Sequence, residues 1–275
     1  MSRQVAAIVI DTLHEARSRK VVASILLGSI LGIGALYWML RGMPLSGPSS
    51  IVAMMSQTDQ RYLNEQWVAR GVFGNTAMLV FGLQLIICLM NTMSLVPGLL
   101  DPGRNAWLAS HPISRSGILM GRFLGFFAIA TASTAITFTG AWVVVGMKTN
   151  LWHLPFFFGM VTTLVLYASF SSVVLLLHMA SSSPALMATG VSLIAVLSGA
   201  ASRPEEVKGI LGDGPVYGFL MAAASALPRV MEVGRLTDAY VQTGVITDHR
   251  HIWFSLTFGM ICFALASWRF SRRDL

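Results

Sequence analysis

The sequence predicts an all-helical integral membrane protein, and three observations predict it. Hydrophobic residues make up 55% of the 275-residue chain and charged residues only 11%, with a mean hydropathy of +0.68. A soluble domain carries charge on about a quarter of its residues. The apolar residues gather into six runs, about 21–40, 77–100, 123–147, 156–179, 185–202 and 252–268, each near the ~20 residues that cross a hydrocarbon core. The net charge is +7, but the basic residues stand beside these runs and do not form a patch interleaved with aromatics. That makes membrane lipid, and not nucleic acid, the surrounding they fit. One transmembrane domain fills residues 1–275, with no internal repeat or low-complexity tract.

The chain opens with "MSRQVAAIVIDTLHEARSRK", too charged for a signal-peptide core, and no small-residue cleavage site flanks the run that follows, so span 1 is expected to be uncleaved. Val5, Ile8, Val9, Thr12, Leu13 and Ala16 recur at helical spacing, with Asp11, His14, Glu15 and Arg17 off that stripe. The expectation is an amphipathic helix at the membrane surface leading into span 1.

Charge bias orients the six spans. With the N-terminus inside, the cytoplasmic segments hold ten basic and four acidic residues, and the outer ones nine basic and eight acidic. The excess of Lys and Arg belongs on the cytoplasmic side, so both termini are expected there, in a multi-pass protein of a cell membrane. The stretch "PVYGFLMAAASALP" (Pro215–Pro228) would be a seventh span only by moving the basic C-terminus outside. At about 14 residues between prolines it reads as re-entrant or interfacial. The outer segments 41–76 and 203–251 are loops with some helix. In the second, Val230, Val233, Thr237, Tyr240 and Val241 make an apolar face suited to the outer membrane surface.

Between spans 2 and 3 the chain is expected to break twice. Asp101-Pro102-Gly103 ends span 2, residues 104–110 form two helical turns, Pro112 disfavours helix at His111, and Ser114 caps a helix running into span 3. Arg104 and Arg115 offer planar donors for carboxylates and Trp107 an interface anchor. Two readings stand on these residues alone: an ordinary basic loop that orients the protein, or a docking element.

The segment "LASHPISRSGILMGRFLG" (Leu108–Gly125) resembles the most recognisable motif of type-2 ATP-binding-cassette (ABC) transporter permeases: Leu-x-x-x-Pro-(Ile/Val)-Ser-Arg, then an apolar stretch and Gly-(Lys/Arg). Leu108, Pro112, Ile113, Ser114, Arg115, Gly121 and Arg122 fit that pattern. "DTLHEARSRK" is similar to the family's helix before span 1, and "WRFSRRDL" to its basic-Asp terminus. "LLDPGRNAWL" departs from the Glu-rich run that many members carry there. The resemblance covers the whole chain and implies a permease subunit without its own ATPase, placed in the bacterial inner membrane. It further implies a short cytoplasmic coupling helix between spans 2 and 3, a separate ABC ATPase subunit that binds ATP and Mg, and a second permease copy. Glu15, Arg17, Arg104, Trp107, Pro112 and Arg115 would then be coupling residues, none of them catalytic. The function implied is export or extrusion driven by the partner's ATP hydrolysis. The alternative is a non-transporting scaffold or mechanotransmitter that moves an outer accessory protein through 203–251.

The remaining polar features carry two readings each. Gly28 and Gly32 in span 1, and Gly117, Gly121 and Gly125 in span 3, make small-residue faces for packing within the chain or between copies. Gln84, Asn91 and Thr92 line span 2 with Cys88, and would serve interhelical hydrogen bonds or a substrate path. No cofactor or metal site is legible. "GAWVVVGMKT" lacks the phosphate-loop spacing, and the six histidines do not pair within spans as haem ligands. No acidic residue falls within a span, which argues against an ion-coupled carrier.

Overall fold

A computed structural model describes residues 2–41, 65–97, 114–181, 183–212, 214–246 and 248–272. These residues are all-helical, with no strand among them. The helices are α1 (Ser2–Ser18), α2 (Val21–Arg41), α3 (Glu65–Leu95), α4 (Arg115–Thr149), α5 (Phe158–Ala180), α6 (Pro184–Ala201), α7 (Pro204–Leu211), α8 (Pro215–Ser225), α9 (Val230–Thr243) and α10 (Arg250–Ser271), with a 3-10 turn at Leu154–Phe157. Among the described residues, five helical stretches are long and apolar enough to cross a membrane: Val21–Arg41, Ala69–Leu95, Arg115–Thr149, Leu154–Ala180 and Arg250–Ser271. Two bent pairs, α6 with α7 (101°) and α8 with α9 (57°), raise that number to seven if each counts as one span. The described residues therefore form a multi-pass helical bundle with five to seven candidate spans.

Local chemistry explains the ends. α4 starts where a cap was expected: the Ser114 hydroxyl accepts from the Gly117 amide at 3.2 Å. It closes at Asn150 in the left-handed region, φ 54°. Proline occupies the first turn of α6, α7 and α8, where its missing N–H costs nothing. α3 ends at Leu95, just ahead of Pro97, and the expected Asp101-Pro102-Gly103 break lies outside the described residues. It also begins at Glu65, well before the expected 77, because Phe73 and Ala77 are buried against the rest of the bundle. α4 has 35 residues, about 52 Å of helix against ~30 Å of hydrocarbon, so it projects beyond any bilayer it crosses.

α3 and α5 run antiparallel to α4. Gln84 meets Ser133, Phe138 packs at Gly159, and Phe127 stacks near Tyr167 with ring centroids 6.4 Å apart. α5 is the most enclosed span, whereas α2 and α10 lie at the periphery and present Leu27, Ile30, Leu31, Ile261 and Leu265 outward. α9 corrects one expectation: its apolar face is covered by protein and not spread on a membrane surface. Val233, Leu236, Thr237 and Val241 are buried against α3 and α5, Thr237 shares a hydrogen bond of 2.8 Å with Thr162, and Gly234 sits against Phe81. The same periodicity that suits an interface with lipid suits a groove between two helices.

Candidate functional site: the basic end of the bundle

The C-terminal ends of α3, α5 and α10 and the N-terminal end of α4 meet at one end of the bundle, and α1 lies across it. Arg122 of α4 holds α1 there. It follows Gly121 in an otherwise apolar run, and its side chain is 2% exposed. One guanidinium nitrogen donates to the Glu15 carboxylate and another to Asp11 Oδ2 at 3.2 Å. Arg19 adds a second cation to Glu15 at 3.0 Å, so Glu15 is pinned between two arginines and is itself buried. A charge this deep requires a partner with hydrogen-bonding geometry, and α1 supplies two.

The approach is close because α4 has no side chains in the way. A Cβ at Gly121 would stand 2.7 Å from Ile8 Cβ, and one at Gly125 would stand 2.6 Å from Thr12 Cβ. Ile8, Thr12, Glu15 and Ala16 form the buried face of α1, at spacings of four, three and one. Glu15 therefore belongs to the inward face, although its polarity placed it off the apolar stripe, and Leu13 turns outward, 40% exposed. Arg122, opposite, is what reverses Glu15's preference. The helix then breaks at Lys20, a non-glycine residue at φ 58°, before α2 begins.

The other expected coupling residues divide. Arg17 is exposed on α1, and Arg115 is half-buried at the start of α4, with Nη1 donating to the Ser271 carbonyl of α10 at 3.1 Å. Arg104, Trp107 and Pro112, with the expected coupling helix, lie outside the described residues. The glycine faces meet their own chain: Gly28 lies against Ile87, Gly32 against Leu83, Gly121 and Gly125 against α1, and Gly117 is buried on α4.

The polar residues of span 2 are each spent on a different neighbour. Gln84 Nε2 donates to Ser133 of α4 at 2.6 Å, Asn91 Oδ1 accepts from Ser24 of α2 at 2.6 Å, and Thr92 shares a hydrogen bond with Tyr167 of α5 at 2.6 Å. Gln84 Oε1 has no hydrogen-bond partner among the described residues. Sequence reasoning missed Arg122 as a centre and missed the pairs Ser29–Thr137 (2.8 Å) and Thr162–Thr237. The signal for Arg122 was available: an arginine between a glycine and a phenylalanine in an apolar run must find an acid or leave the membrane. Among the described residues, no group of three His, Cys, Asp or Glu side chains is placed to hold a metal ion.

Fold and site together define a polytopic helical bundle with an amphipathic helix clamped across one end by a buried ion-pair cluster. No protein-family model matches the chain, and no curated protein matches it.

Proposed function

We propose that the chain is the permease subunit of an ABC exporter, worked by a separate ATPase subunit docked at the basic end of the bundle. The observation that carries this reading is the Arg122–Glu15 clamp. It ties the N-terminal helix to the first turns of α4, within the Leu108–Gly125 motif, so a push on either is delivered to both. On this reading the basic end is cytoplasmic, as the excess of Lys and Arg favours, and both termini lie inside a bacterial inner membrane. Two copies, each with its ATPase, would form the working unit.

The coupling roles of the described residues then separate by accessibility. Arg17 and Arg115 are the docking groups, and Arg104 and Trp107 join them on the motif resemblance alone. Glu15 is buried against Arg122 and transmits motion without touching the partner. A second reading, a mechanotransmitter acting on an outer protein, is favoured by α7, which has no buried residue and presents Ile210 at 83% exposure.

The test is co-purification of the tagged chain with an ABC ATPase subunit from its own host. Arg17→Glu and Arg115→Glu are each expected to weaken the complex, and the Arg122–Glu15 clamp variants to keep the complex while uncoupling ATP hydrolysis from its effect. Full association and full coupled activity in both charge reversals would refute the docking roles. Substrate accumulation in inverted vesicles separates the two readings: export requires it, force transmission does not.

A further inference from the structure

The helices α4, α5 and α10 leave a cavity of about 340 Å³ between them, walled by Met120 and Phe123 of α4, Ser169 and Ser172 of α5, and Met260 and Phe263 of α10. Its size and its place between the helices of a bundle are those of a small-molecule pocket. The walls are firmly joined. A Cβ at Gly259 would stand 2.7 Å from Ser169 Cα, so α10 and α5 meet backbone to backbone, and the Phe123 and Phe263 rings join α4 to α10 with centroids 5.0 Å apart.

The lining restricts the chemistry of an occupant. None of the described residues in the wall is charged, and the wall's hydroxyls are already committed. Ser169 donates to the Ser255 carbonyl at 2.6 Å and Ser172 to the Ala168 carbonyl at 2.8 Å. An ionic occupant would be stripped of water and left unpaired. What the walls do offer is two aromatic rings and two thioethers, which favour contact with another aromatic ring.

Depth restricts it further. α10 has 22 residues, about 33 Å of helix against ~30 Å of hydrocarbon. Its lining residues run from Leu256 to Phe263, about 10 Å, beginning about 9 Å from Arg250 and ending about 12 Å short of Ser271. The cavity therefore faces the middle of the bilayer, away from the headgroups at either surface. It is also shorter than the ~15 Å of hydrocarbon in one leaflet, half of ~30 Å, so its length suits a compact molecule better than an extended acyl chain. The opening is sideways: Met120 is 43% and Met260 65% exposed, on two helices that qualify as spans. Unbranched thioethers at such a rim adapt to occupants of unlike shape.

We propose that this cavity is a binding site for a neutral, compact aromatic molecule that enters sideways from the bilayer core. Phe123 and Phe263 meet its ring, and Met120 and Met260 close over its edge. The inference needs only that α4, α5 and α10 cross a bilayer, and it stands or falls apart from the ATPase reading.

The experiment is equilibrium binding of N-phenyl-1-naphthylamine to the full-length protein in phosphatidylcholine nanodiscs, read as saturable fluorescence above that of empty nanodiscs. The comparison probe is 8-anilinonaphthalene-1-sulfonate, the same ring system with a sulfonate added. One site per chain is expected, with the sulfonate bound about tenfold more weakly or worse, since its charge finds no partner. Ala168→Phe fills the cavity from α5 and Met260→Trp fills it from the rim, and each is expected to weaken binding about tenfold. Ser172→Ala removes a hydroxyl the occupant does not use, and should change affinity by less than about twofold. Thermal midpoints check that the variants fold, and Met260, being exposed, keeps the test open if Ala168→Phe does not. The proposal is overturned if the neutral probe shows no saturable binding, if the sulfonate binds as tightly, or if folded Met260→Trp binds like the wild type. It is also overturned if Met260→Cys joins two chains by a disulfide, because a second copy would then cover the opening.

Discussion

The Arg122 guanidinium and the Glu15 carboxylate form an ion pair between helices 107 residues apart in sequence, and both side chains are buried. The pair is the reason that α1 belongs mechanically to α4, although covalently it belongs to α2. Removing Glu15 takes from the buried Arg122 its buried carboxylate and leaves it the half-exposed Asp11, whereas replacing both Glu15 and Arg122 with apolar groups removes the buried pair altogether. Glu15→Ala is therefore expected to lower the stability of the α1 attachment by about 3 kcal/mol. Glu15→Leu combined with Arg122→Met should lose much less. Thermal unfolding of the three proteins in one detergent checks the ordering; a double variant no better than Glu15→Ala would contradict it.

The seat of α1 on α4 is steric as well as electrostatic. With Cβ positions at Gly121 and Gly125 only 2.7 and 2.6 Å from α1 atoms, any larger side chain there must push α1 away. Gly125→Leu is expected to expose the basic segment Arg17–Lys20 to trypsin. If lifting α1 costs about 1.4 kcal/mol less in the variant, cleavage there should rise about tenfold. Unchanged cleavage kinetics would mean that the glycines are not what holds the helices together.

Thr92 and Tyr167 lock α3 to α5 through a buried hydrogen bond of 2.6 Å. Such bonds within membrane bundles average ~0.6 kcal/mol and reach ~1.7 kcal/mol. A double-mutant cycle with Thr92→Val and Tyr167→Phe should return a coupling in that range. A coupling near zero would leave the pair without an energetic role.

Asp248 caps the start of α10. Its Oδ1 accepts from the Arg250 amide at 2.9 Å, and that hydrogen bond, with the nearby His251 charge, holds the carboxyl below its usual range. A depressed folded-state value means the cap contributes above the unfolded carboxylate range and is lost as pH falls through the folded value. Amides in the first turn of α10 should therefore lose hydrogen-exchange protection on acidification, after correction for intrinsic exchange. Asp248→Asn should flatten that pH dependence.

Much of the bundle was legible in the chain itself because a membrane imposes a length and a polarity on every crossing. The runs near 21–40, 123–147, 156–179 and 252–268 correspond to α2, α4, α5 and α10. Ser114 was readable as a cap because capping needs only the three residues that follow it. The small-residue faces and the polar stripe of span 2 were readable as faces, since a 3.6-residue period determines which positions share a side.

What those faces meet was decided by the tertiary structure alone. Gln84, Asn91 and Thr92 bond to three different helices, a division that periodicity along α3 cannot reveal. α9 has the pattern of a surface helix, yet it fills the groove between α3 and α5, because an apolar face is blind to whether protein or lipid covers it. Glu15 sits inward against its own polarity, since an arginine 107 positions later needs it there. Hydrophobic length acts within a segment and so is written in the order of residues. Charge pairing and close packing act across space, and only the folded chain brings Arg122 to Glu15.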